Sequence, residues 1–242
     1  MSIKTINPAT ADLIGEYPEM PLQEANAAVD AAHVAYLDWR RKSIEERAKP
    51  MKRVAELLRE RSRELAKLMA SEMGKPITQG MAEANKCALV CDYYADNAKD
   101  FLKPEAVPMD SGKGMIVFQP IGVIMAIMPW NFPFWQVFRF IAPAFMAGNA
   151  GVLKHASNVP GCALAIETLM KDAGFPENLF RTLLIGSKAA NEVLEHPNIR
   201  AATLTGSELA GRAVARKAGE LLKKTVLELG GSDAYLILDD AD

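Results

Sequence analysis

Cysteine is scarce in this chain: Cys87, Cys91 and Cys162 are the only three in 242 residues. An odd, sparse set builds no disulfide framework and suits a reducing compartment, so the cytoplasm is the expected location. Neither sign of charge is in excess, since 28 Lys and Arg stand against 30 Asp and Glu, a formal net charge of -2. That balance supplies no general attraction to nucleic acid or to acidic membranes, and neither is expected as a partner. The opening MSIKTINPATADLIGEYPEM lacks the apolar core of a signal peptide, so no export is expected. The most apolar stretch, 117–153, is interrupted by Gln119, Asn131, Arg139 and Asn149 and by Pro120, Pro129, Pro133 and Pro143. No uninterrupted window of about 20 residues remains for a membrane-spanning helix. Internal repeats and low-complexity linkers are also missing. What is present is the composition of a globular protein, 50% hydrophobic and 24% charged, enough for a real core in one or two domains.

The first hundred residues read as helices. Pro21 can open a helix to about Arg40, with Ala27, Ala28, Ala31, Val34, Ala35 and Leu37 on one stripe. Ser43 and Glu46 have capping-box spacing and start a second helix, which Pro50 is expected to bend or restart. Val54, Leu57, Leu58, Leu65, Leu68 and Met69 continue its apolar face to a stop at Gly74. A third helix over 78–101 puts Cys87 and Cys91 on one face. With no His or carboxylate arrangement of metal type beside them, they read as packing residues and no metal site is expected.

After residue 114 the texture changes to short apolar runs separated by helical segments. Strands are expected at 115–119, 122–127, 151–154, 181–185, 201–205, 225–229 and 234–238. The rhythm is βαβ, which predicts an α/β fold: N-terminal helices followed by a mostly parallel, doubly wound sheet covered on both faces.

In such sheets ligands bind beyond the carboxyl ends of the strands. After the strand 122–127 comes Pro129-Trp130-Asn131-Phe132-Pro133, whose prolines fix the backbone around an uncharged amide suited to an oxyanion. The plain alternative is a turn in which Asn131 bonds its own backbone. Lys154-His155-Ala156-Ser157 follows Gly151-Val152-Leu153. Lys154 can hold ribose or phosphate oxygens, or be an ordinary solvated strand end. Sites that select NAD place a carboxylate near the ribose 2′-hydroxyl, and the neutral Ser157 leaves NADP admissible. His155 has nothing nearby in sequence to orient it as a base and reads as a surface or packing residue.

Thr205-Gly206-Ser207-Glu208-Leu209-Ala210-Gly211 joins a strand to a helix, where glycine allows close approach and N-terminal N–H groups attract phosphate. Its spacing is neither G-x-G-x-x-G nor a Walker loop. Glu228-Leu229-Gly230-Gly231 ends the run Val226-Leu227 with a carboxylate before flexible glycines. Partial burial would raise that carboxylate toward the range of a general base; a strand-end Glu bonded to nearby amides is the alternative.

In this order, the Pro129–Pro133 turn, Lys154 with Ser157, Gly206-Ser207 with Gly211, and Glu228-Leu229-Gly230-Gly231 closely resemble the aldehyde dehydrogenase superfamily. The resemblance runs from Ile6-Asn7-Pro8-Ala9-Thr10 to the last residue. The stretches Cys87–Tyr94 and Lys154–Pro160 look most like its succinate-semialdehyde dehydrogenase branch. It implies NAD(P)-dependent oxidation of an aldehyde to a carboxylate, with NADP slightly favoured over NAD and succinate semialdehyde as the substrate. Asn131 would donate to the oxyanion and Glu228 would be the general base. Lys154 and Ser157 would meet the adenosine ribose and its phosphate, and Gly206, Ser207 and Gly211 the pyrophosphate. Met128, Pro129 and Trp130 would contact the cofactor, Trp130 with Pro129 also shaping the pocket, and Leu229 and Gly230 would border the nicotinamide.

The resemblance also implies a helical part over 1–102, bridging and oligomerisation strands over 103–120, and a Rossmann-like domain over 121–242. Homo-oligomers are expected of the full-length parent. The family's nucleophilic cysteine lies a few tens of residues beyond the Glu-Leu-Gly-Gly motif, in a catalytic domain absent from these 242 residues. Cys87, Cys91 and Cys162 offer no substitute. The chain therefore reads as the cofactor-binding portion of such an enzyme, cut in mid-fold and inactive by itself. The alternative is a stand-alone nucleotide-binding product. A Rossmann dehydrogenase using Tyr or His is disfavoured, for want of a suitable Tyr-x-x-x-Lys.

Overall fold

The computed structural model describes residues 2–241. The chain opens with an antiparallel hairpin, β1 (Ser2–Ile6) and β2 (Leu13–Pro18), where helix was expected. Its turn, Asn7–Asp12, closes on itself through Ala11 N–H to the Asn7 carbonyl at 2.8 Å and Asn7 N–H to the Asp12 carbonyl at 2.9 Å. Four helices follow: α1 (Leu22–Trp39), α2 (Ile44–Glu60), α3 (Ser62–Met73) and α4 (Ile77–Phe101). The capping box is present in full, with Ser43 N–H donating to Glu46 and Glu46 N–H to the Ser43 hydroxyl. Pro50 does not break α2. The break falls at Arg61, and Gly74 ends α3 in the left-handed region at φ 76°.

A short antiparallel pair, β3 (Glu105–Val107) and β4 (Gly114–Ile116), stands apart from the main sheet. The expected strand 115–119 is thus shorter and belongs to this hairpin. The main sheet alternates β5 (Val123–Met128), α5 (Trp135–Met146), β6 (Ala150–His155), α6 (Pro160–Asp172), β7 (Phe180–Thr182), α7 (Ser187–Leu194), β8 (Ile199–Thr205), α8 (Glu208–Glu220) and β9 (Lys224–Glu228). All five strands are parallel, in the order β7-β6-β5-β8-β9. Strand order reverses between β5 and β8, which makes their carboxyl ends the topological switch point.

α5 and α6 cover one face of β5, β6 and β7; α1, α7 and α8 pack on the other. Behind α5 and α6 lie α2, α3 and α4. The Trp39 indole N–H donates to the Phe145 carbonyl at 2.9 Å, and the Arg47 guanidinium donates to the Met146 carbonyl at 2.8 Å. The helical first hundred residues and the sheet therefore share one hydrophobic core, from Val29 and Met51 to Phe138, Leu153 and Leu204.

Two expectations fail. Among the described residues the sheet is not covered on both faces, because no helix crosses β8 and β9 on the α5 side and Val226 is 61% exposed. Residues 234–238 form no strand: no neighbour supplies a ladder, and Tyr235 and Leu236 are each 87% exposed. Among the described residues no helix is long and apolar enough to cross a membrane.

Candidate active site and nucleotide cleft

The sheet register aligns the residues that end its strands. Met128 pairs with His155, and Thr205 with Glu228, while Ile127, Leu204 and Leu227 pair one step earlier. Met128, Lys154, Thr205 and Glu228 therefore share the carboxyl edge, with the Asn131 turn following Met128. Strand spacing puts the β5 and β9 ends about 10 Å apart. On the α5 side a groove of about 480 Å³ runs along β8 and β9 from Asn149 and Lys224 at the amino ends of the strands to this edge, where Met128, Gln136, Arg139, Thr205 and Glu228 line it.

Glu228 is not partly buried. Its side chain is 53% exposed, and an Arg139 guanidinium nitrogen lies 3.6 Å from Oε2. It lacks cover because its side of β9 is the uncovered one. An ion pair this exposed is worth under about 1 kcal/mol, which leaves the carboxylate free to move. Arg139 also reaches the Thr205 hydroxyl at 3.4 Å. Sequence reading noted Arg139 only as an interruption of an apolar run. A lone charge in the helix WQVFRFIAPAFM was the available signal.

Asn131 is exposed, and its Oδ1 accepts from the Phe132 N–H at 3.1 Å. The local bond weighed against a catalytic role is therefore present. It engages the acceptor oxygen and leaves the two N–H donors for a ligand. The turn around it is held by buried groups that sequence reading did not identify. Glu83, on α4, accepts from the N–H groups of Phe134 and Trp135 at 2.9 Å each and pairs with the buried Lys75 ammonium. Lys75 lies 3.9 Å from the centre of the Phe132 ring. His155 accepts at Nδ1 from the Ala156 N–H, so Nε2–H is the donor to the Pro133 carbonyl at 2.9 Å. Burial pushes the imidazole down to about 4, and it is neutral. His155 is a packing residue that also anchors the turn. Pro129 is half-buried and Trp130 is 49% exposed.

On the opposite face of the sheet Lys154 is half-buried, and desolvation pushes its ammonium below the usual lysine value. It lines a cavity of about 340 Å³ with Ser157, Gly186, Ser187, Lys4 and Glu19. Ser157 is exposed there.

At the third motif Ser207 caps α8, its hydroxyl accepting from the Ala210 N–H at 3.3 Å. Gly206 N–H donates to the Glu228 carbonyl at 3.0 Å, tying the ends of β8 and β9 together. A Cβ on Gly211 would come within 2.5 Å of the Leu229 side chain, so this glycine lets α8 sit close to β9. Gly230 has no neighbour within 4 Å of where a Cβ would stand.

The helix N-termini at this edge differ in what occupies them. Glu83 takes that of α5. Glu72 takes that of α6 through the N–H groups of Gly161 and Cys162 at 2.8 Å, and Glu19 bonds the Gly186 N–H that opens α7. At α8 only the Ser207 hydroxyl caps, and no carboxylate of another element bonds its first turn among the described residues. Cys87, Cys91 and Cys162 are buried, and desolvation raises each thiol, which opposes the thiolate a nucleophile requires.

A parallel sheet with a switch point, a donor-bearing turn at its carboxyl edge and a helix N-terminus capped only by its own Ser207 define a doubly wound type of α/β protein. The aldehyde dehydrogenase family profile matches residues 1–242, and the chain belongs to that family. A Synechocystis sp. protein named probable succinate-semialdehyde dehydrogenase (NADP+) is 52% identical over 242 residues, covering all of this chain and 53% of that protein. A Mycobacterium avium succinate-semialdehyde dehydrogenase (NADP+) is 47% identical, with all of this chain and 52% of the relative covered. The crystal structure of succinic semialdehyde dehydrogenase from Streptococcus pyogenes in complex with NADP+ superposes with a TM-score of 0.94 at 40% identity, covering 99% of this chain and 53% of that one. The chain thus spans about half the length of the relatives it matches.

Proposed function

We propose that this chain carries the cofactor-binding half of an NADP-dependent aldehyde dehydrogenase acting on succinate semialdehyde. The observation that carries the reading is the shared edge: the Asn131 turn, Thr205, Glu228 and the α8 N-terminus all stand at the carboxyl ends around one switch point. In this reading the α8 N-terminus, with Gly206 and Ser207, meets the pyrophosphate, since its first-turn N–H groups are not taken by a carboxylate. Lys154 and Ser157 hold the adenosine ribose and its 2′-phosphate. A half-buried ammonium pushed down by desolvation gains from an incoming anion. When bound, the nicotinamide is the hydride acceptor.

The chain's own groups do the rest. Asn131 donates its free N–H groups to the oxygen that becomes negative, and the clamps on its turn keep them aimed. Glu228 accepts a proton from water, its carboxylate free to swing because Arg139 holds it weakly. Arg139, with Gln136 and Thr205, offers the substrate's far carboxylate a cationic partner in the groove. Met128, Pro129, Trp130, Leu229 and Gly230 border the reacting end. The names of the relatives support the choice of NADP and of succinate semialdehyde, together with the lack of a carboxylate at Ser157.

Catalysis requires a nucleophilic thiol, which none of the three buried cysteines can supply. The 242-residue chain should bind NADP+ and show no aldehyde oxidation or ester hydrolysis. Calorimetric titration with NADP+ and NAD+, beside an NADPH absorbance assay with succinate semialdehyde, tests both halves of the statement. No binding of either nucleotide would sink the reading. Turnover that survives replacement of each cysteine would sink its mechanism.

A further inference from the structure

Glu19 lies in the link between β2 and α1 and was not singled out by any motif, yet it lines the same cavity as Lys154 and Ser157. It is held there from two sides. Its Oε1 accepts from the Gly186 N–H at 3.1 Å, and the next residue, Met20, donates its N–H to the Leu184 carbonyl at 2.8 Å. A Cβ on Gly186 would stand 3.0 Å from that carboxylate oxygen, so the glycine at the head of α7 makes room for it.

We propose that Glu19 is a specificity-determining residue that limits how strongly this cavity prefers a 2′-phosphorylated adenosine nucleotide over the plain one. The proposal rests on the reading of the Lys154 cavity as the adenosine-ribose site. The cavity carries Lys154 and Lys4 on one side of the balance and Glu19 on the other, and Lys4 is already 3.9 Å from Glu16. An entering phosphate gains from Lys154, is repelled by Glu19, and finds the Gly186 N–H already taken. A free 2′-hydroxyl meets no repulsion and finds in Glu19 an acceptor. The carboxylate thus opposes the discrimination that Lys154 and Ser157 supply.

Calorimetry with 2′,5′-ADP and 5′-AMP on the 242-residue chain separates the contributions. Glu19→Gln keeps an oxygen for the Gly186 N–H and removes the charge, the second oxygen becoming an N–H donor group. It should tighten 2′,5′-ADP about fivefold with 5′-AMP unchanged or weakened, and the gain should shrink as salt is raised. Lys154→Met should move the same ratio the other way. If the wild-type chain binds both nucleotides and Glu19→Gln leaves their ratio unchanged, the proposal is overturned while the cofactor reading stands. If it binds neither, the cofactor reading fails and this proposal with it. Glu19→Ala, read by the same ratio, replaces the Gln variant should that one not fold.

Discussion

His155 carries the clearest pH consequence of any residue in the chain. Burial holds its imidazole at about 4 instead of 6.5, with Nε2–H committed to the Pro133 carbonyl. Between those values the unfolded chain binds a proton that the folded chain refuses. The stabilisation is therefore complete above about pH 6.5 and is lost as pH falls toward 4, by up to about 3 kcal/mol. Glu72 works in the opposite sense, since desolvation raises its carboxyl and the folded state takes up that proton first. The difference between wild type and His155→Gln isolates the histidine: urea unfolding at pH 7 and pH 5 should show a smaller acid loss in the variant. A second expectation concerns the thiols. Cys87, Cys91 and Cys162 should react with a thiol reagent only as the chain unfolds, and fast labelling of a folded thiol would contradict their burial. His155 and the cysteines as packing residues were legible from sequence, because nothing beside them suggested activation. The exposure of Glu228 was not, because it depends on what crosses β9.

The Asn131 turn is rigid for reasons that lie in other elements. Its prolines limit the backbone, but Glu83 of α4 fixes the two N–H groups that directly follow it, those of Phe134 and Trp135, and His155 of β6 holds the Pro133 carbonyl. Glu83→Gln keeps an acceptor and leaves the Lys75 ammonium buried without its counter-charge. A loss of about 3 to 5 kcal/mol is expected, visible as a lowered urea midpoint. Lys75→Met with Glu83→Gln should recover part of it, and a double variant less stable than Glu83→Gln would contradict the pairing. Sequence signals predicted most helices well, since the Ser43 box, the Gly74 stop and apolar stripes act within a few residues. The β1–β2 hairpin was missed because its strands are short and mostly exposed. Residues 234–238 have the composition of a strand, but a ladder needs a partner and none lies beside them.

At the scale of the whole molecule, the open side of β8 and β9, the β3–β4 hairpin and the two residues after it leave apolar side chains in solvent, among them Val226, Met115, Val117 and Phe118. A surface of this kind should bind a hydrophobic dye under native conditions and promote association. Dye fluorescence that rises only on unfolding would argue that the face is closed in solution. The amino-acid sequence by itself determined the alternation of strand and helix, the strand-end motifs and the family they resemble, because periodicity, turn chemistry and motif spacing act locally. Tertiary structure alone decided which carboxylate covers which helix N-terminus, which face of the sheet stays open, and that Glu19 reaches the Lys154 cavity. Those outcomes depend on contacts between residues as far apart as Glu19 and Gly186, where packing, desolvation and charge act through space.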